Sequence, residues 1–143
     1  MEARFKTLQI IWAALLGGTA GYTAVVAVVV QLRVVDAPAL PPGVMAIAAT
    51  VAVLHMGVGT VARRRMIEAI PTDAPHDARF AKYQMATIVG LAILEAGGLL
   101  VITLGILADS TTWVLAGGGA SLWTMALARP QRSEAGIAEP GRG

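Results

Sequence analysis

The chain has 143 residues, room for one domain, and 56% of them are hydrophobic against 14% charged, with a mean hydropathy of +0.68. A soluble domain averages about 45–50% apolar and about 25% charged residues, so a water-facing surface all round is excluded and an all-α membrane protein is indicated. The absence of cysteine removes disulfides, thiolate catalysis and thiolate-bound metals, while the net charge of +2 comes from basic residues at helix ends, not from a nucleic-acid-binding face.

In chain order, the first apolar run covers about residues 7–31 and ends at Arg33 and Asp36. Arg4 and Lys6 before it resemble the start of a signal peptide. The run, however, exceeds the ~7–15 apolar residues of such a segment and carries Gly17, Gly18 and Gly21, so it is expected to remain as a span. A proline-rich outer connection, Leu32 to Pro41, leads to the second run, residues 42–62, which stops at Arg63-Arg64-Arg65. An inner connection follows to Lys82, in which Met66 to Ile70 extend the second helix until Pro71 and Pro75 break it. The third run, residues 83–108, contains one charge, Glu95. Asp109 or Ser110 is expected to cap the fourth, residues 112–128. The tail, residues 130–143, is rich in Gly, Pro and charge and is predicted to be disordered.

These runs predict an antiparallel bundle of four transmembrane helices, each near or above the ~17–20 residues a span needs. Ten of the eleven basic residues fall on one side and only Arg33 on the other, so both termini are expected to be cytoplasmic, in a bacterial inner membrane. Trp12, Tyr83, Trp113 and Trp123 lie towards span ends and are expected to anchor at the membrane interface. A faint repeat lays Ile10 to Gly17 over Ile88 to Glu95, each after a basic, aromatic-containing lead-in; it would divide the bundle into two tandem helical hairpins.

Glu95 is the principal candidate site. It lies about 18 Å beyond Tyr83 at a rise of ~1.5 Å per residue, near mid-membrane. An ionised carboxylate there costs about 2.5–3.5 kcal/mol. Such a group either handles protons or hydrogen-bonds across helices, worth about 0.6–2 kcal/mol. His55, about 12 Å from Arg63 by the same rise, is predicted to reach a similar depth and is a possible proton-sharing partner for Glu95. Gly17 and Gly21 form a GxxxG, and with Gly97, Gly98, Gly117 and Gly118 they are the expected helix-packing positions. No phosphate loop, metal-ligand set or activated nucleophile is present in the sequence, so no cofactor, no metal and no enzymatic activity are expected. The arginine run is expected to set topology, with contact to anionic lipid headgroups as its alternative role.

Ala86-Thr87-Ile88-Val89-Gly90-Leu91-Ala92-Ile93-Leu94-Glu95-Ala96 resembles the carboxylate helix of the rotary ATPase proteolipid, subunit c. The order of a span, a loop with Arg and Pro, and then the carboxylate span is similar as well. The resemblance implies that Glu95 binds a translocated ion. Ala96 stands where sodium-binding members carry a hydroxyl, which points to a proton. The match covers about twenty residues; the second span, Val44 to Ala62, lacks the family's dense glycines. Two functions follow as expectations. The leading one is a non-catalytic subunit, assembly factor or oligomeric scaffold, with the lipid bilayer and a second copy or a membrane-complex protein as partners. The alternative is a proton-handling subunit built on Glu95.

Overall fold

The computed structural model describes residues 2–34 and 41–136. Four helices make up the fold: α1 (Glu2–Gln31), α2 (Pro42–Glu68), α3 (His76–Leu107) and α4 (Thr111–Leu127). Among the described residues there is no strand. α1, α2 and α3 are each long and apolar enough to cross a membrane. α4, with 17 residues, reaches about 25 Å at ~1.5 Å per residue. Most of the expected outer connection (35–40) and the end of the tail (137–143) lie outside the described residues.

Local chemistry sets the helix ends. Pro42 opens α2 at a position where its missing N–H is no loss. Ser110, not Asp109, caps α4, its hydroxyl accepting from the Trp113 amide at 3.4 Å. Asp109 instead takes a left-handed conformation, φ 47°, which turns the chain between α3 and α4. α2 continues past the arginines to Glu68, and α3 begins at His76, before the apolar run starts. Both extensions are polar, so hydropathy alone does not mark them.

α3 packs against every other helix. Arg63 faces Gly90, Gly59 faces Ile93 and Leu94, and Ala52 and Met56 face Gly97, so residue numbers fall along α2 as they rise along α3. α4 meets α3 in the same sense, with Ser121 at Gly98, Val101 at Gly117 and Val114 at Gly105. α1 closes on α4 and α3: the Trp12 indole N–H donates to the Met125 carbonyl at 2.8 Å, and Thr23 lies against Gly118. α1 and α2 do not touch among the described residues. The expected division into two tandem hairpins is therefore corrected, because α1 and α2 form no packed pair. A connection of about ten residues can span up to ~33 Å, enough to carry the chain to the far side of α3.

Three buried clusters fill the interior along its length: Phe5, Leu8, Phe80 and Tyr83 at one end, Met56, Leu91, Leu94 and Met125 in the middle, and Val26, Val30, Ile102 and Val114 at the other. Large apolar side chains also cover the outside, among them Ile10, Val25 and Val28 on α1 and Ile47, Val53, Leu54 and Val58 on α2. A water-soluble monomer rarely exposes such a contiguous surface.

Two further expectations are corrected. Tyr83 is buried and Trp12 is hydrogen-bonded inside the bundle, so neither is a free interfacial anchor; Trp123 does face outward. The tail packs against the bundle through Gly136, and the rest of the segment predicted to be disordered, residues 137–143, lies outside the described residues. Ala135 packs into the Phe5–Phe80 cluster, Arg132 pairs with Glu2 and stacks 5.4 Å from the Phe5 ring, and Glu134 pairs with Arg63. Partners from three helices offset the poor intrinsic propensity of this segment.

Candidate functional site

Glu95 lies halfway along α3, in the row Ile88, Leu91, Glu95, Ile102, Ile106. Leu91 shares a cluster with Trp12, Leu15 and Leu16, and Ile102 and Ile106 share one with Val26 and Ala27, so this row lies towards α1. The Glu95 side chain is half-buried at that seam. No hydrogen bond or ion pair forms between its carboxyl and any described residue. A role as hydrogen-bonding glue within the chain thus has no partner in the bundle.

His55 is on the other side of α3. Its Cβ faces Gly97 across the α2–α3 contact, and its side chain is exposed. Gly97 follows Glu95 by two residues, about 200° around a helix of ~3.6 residues per turn. The expected pairing of His55 with Glu95 is therefore corrected: depth is similar, direction is not.

The glycines divide into two groups. A methyl group at Gly97 would stand 3.1 Å from Met56 and one at Gly117 2.5 Å from Val101. At Gly98 and Gly118 it would overlap the side chains of Ser121 and Thr23. Those four let helices approach backbone to side chain inside the bundle. Gly17, Gly18 and Gly21 have nothing within 4 Å. With Ala13, Ala14 and Ala24, all exposed, they form a smooth strip on the outside of α1. The residues that face α3 and α4, Thr19, Thr23 and Val26, lie on the opposite side of the helix.

A third polar group was not anticipated. Arg63 crosses from α2 over Gly90, where a methyl group would come within 2.6 Å of its Cβ. Its guanidinium donates to Glu134 at 2.6 Å, and the Tyr83 hydroxyl bonds the same carboxylate oxygen at 3.2 Å. Tyr83 also accepts from the Gln131 amide at 3.0 Å. Arg63 Nε and Thr87 Oγ1 are both buried there without a partner. Thr87 departs from Thr19, Thr23, Thr60 and Thr124, each of which donates to the carbonyl four residues earlier. The sequence signal for this cluster was weak: a glycine on α3 opposite the first of three arginines, and one glutamate in a polar tail.

Scans against protein-family models, curated proteins and solved structures find no match to this chain.

Proposed function

We propose that this chain is an integral membrane protein crossing the bilayer four times as an antiparallel bundle, with both termini in the cytoplasm, and that it serves as a non-catalytic subunit or scaffold of a membrane assembly. Ten basic residues on one side support the orientation. The observation that carries the subunit role is the unused glycine strip of α1. Glycines inside the bundle are filled by neighbouring helices, whereas Gly17 and Gly21 meet open space. Small residues spaced four apart let a second helix approach closely in lipid.

The test is Gly17→Leu combined with Gly21→Leu, purified in mild detergent and weighed by native mass spectrometry. Loss of an oligomer or of a stoichiometric partner, with helicity and melting temperature retained, is the expected result. An assembly that survives the double substitution removes the proposal. The mass of the wild-type complex separates a second copy of this chain from a different polypeptide.

A second function, proton handling, is favoured by the partnerless carboxyl of Glu95 at mid-helix. It expects dicyclohexylcarbodiimide to label Glu95 and Glu95→Gln to abolish the labelling. A folded preparation that resists the reagent contradicts it.

A further inference from the structure

α2 and α4 both pack on α3 but barely meet each other. Between them, at the end that carries the arginines, lies a cavity of about 400 Å³. Arg63, Arg64 and Glu68 enter it from α2, Ile67 and Leu127 supply apolar walls, and Glu134 closes one side. Cationic side chains beside an apolar cleft, at the cytoplasmic end of a helix bundle, suit a molecule with an anionic head and a greasy body.

The site already holds an anion. Arg63 and Tyr83 converge on one oxygen of the Glu134 carboxylate, from a side chain only 12% exposed in the case of Arg63. Coordination is incomplete, because Arg63 Nε still has a donor to give. A carboxylate presents two oxygens; a phosphate presents more, and a guanidinium binds it through two parallel N–H bonds. Arg64, held by Glu68 at 2.7 Å, is exposed and free to exchange that partner for a stronger anion.

We propose that this α2–α4 cavity binds the phosphate of an anionic phospholipid, and that Glu134 is the intramolecular anion the lipid displaces. The lipid's glycerol and upper acyl chains lie against Ile67 and Leu127. The proposal rests on the membrane embedding set out above, with this end cytoplasmic. Displacing Glu134 removes one of the contacts that hold residues 130–136, alongside Tyr83–Gln131, Arg132–Glu2 and the packing of Ala135, so lipid occupancy would be reported to the cytoplasm as a loosened tail.

The experiment uses the full chain in mild detergent, with native mass spectrometry of retained lipid. Phosphatidylglycerol is expected to remain bound one per chain, and phosphatidylcholine to be lost. Arg63→Gln should lower phosphatidylglycerol retention about fivefold, and so should Arg64→Gln, which leaves the Arg63–Glu134 contact intact, while Glu134→Gln should raise it. Equal retention of the two lipids overturns the proposal, as does a Glu134→Gln variant that binds less. Inorganic phosphate that fully displaces the lipid at equal concentration would show a free-anion site and also overturn it. Failure of the membrane reading is seen separately, as absence of the chain from the membrane fraction or a periplasmic signal from a reporter on its C-terminus.

Discussion

Alanine at Gly118 separates close packing from mere helix preference. The new methyl group would overlap the Thr23 side chain. Thr23 cannot swing aside freely, since it is buried and its hydroxyl is tied to the Thr19 carbonyl at 2.7 Å. Overfilling such a contact costs about 1–3 kcal/mol, and losing the threonine bond about another 1 kcal/mol. Alanine's better helix propensity returns about 1 kcal/mol. The net loss is about 1–3 kcal/mol, a fall in melting temperature of about 3–10 °C for a chain of this size. Gly17→Ala is the internal control, because the same methyl group there meets nothing within 4 Å. It should leave the melting temperature unchanged or slightly higher. Both are measured by circular dichroism at 222 nm during heating in detergent. If Gly118→Ala melts at or above the temperature of Gly17→Ala, the α1–α4 contact described here is wrong.

Tyr83→Phe removes the hydroxyl that holds Gln131 and Glu134 while leaving the ring in its cluster; trypsin should then cut after Arg132 about 3–10-fold faster, with total helicity unchanged. The Arg64 hydrogen bond holds the Glu68 carboxyl below its ordinary value of 4.5. A lowered carboxylate stabilises the fold above that value and ceases to do so as pH falls through its folded pKa, so the last turn of α2 should fray in acid. Amide NMR of that turn across pH 6 to pH 3 reads the change, and Glu68→Gln should abolish its pH dependence.

The helices were legible in the sequence to the extent that hydropathy defines them. α1 ends at Gln31 and α2 starts at Pro42, where apolar composition changes, whereas α3 starts at His76, in polar residues that hydropathy does not mark. Helical rise gave Glu95 and His55 similar depth, but depth says nothing of direction; the two-residue offset between Glu95 and Gly97 puts them on opposite faces. Glycine content marked close packing without distinguishing inner from outer faces, which depends on which helices become neighbours. The contacts at the start of the tail were hidden for the same reason. Its composition resembles disorder, yet Glu134 meets an arginine 71 positions earlier in the chain.

The contact between Trp12 and Met125 joins residues 113 positions apart. During synthesis the first helix emerges long before the fourth, and α2, its immediate successor, offers it no surface. α1 must wait beside the growing chain until α3 offers it a first contact, and its Thr19 and Thr23 face stays uncovered until α4 arrives. A chain interrupted before α4 would leave that face open to other membrane helices, so quality control of this protein has one late event to monitor, the docking of its first helix onto its last.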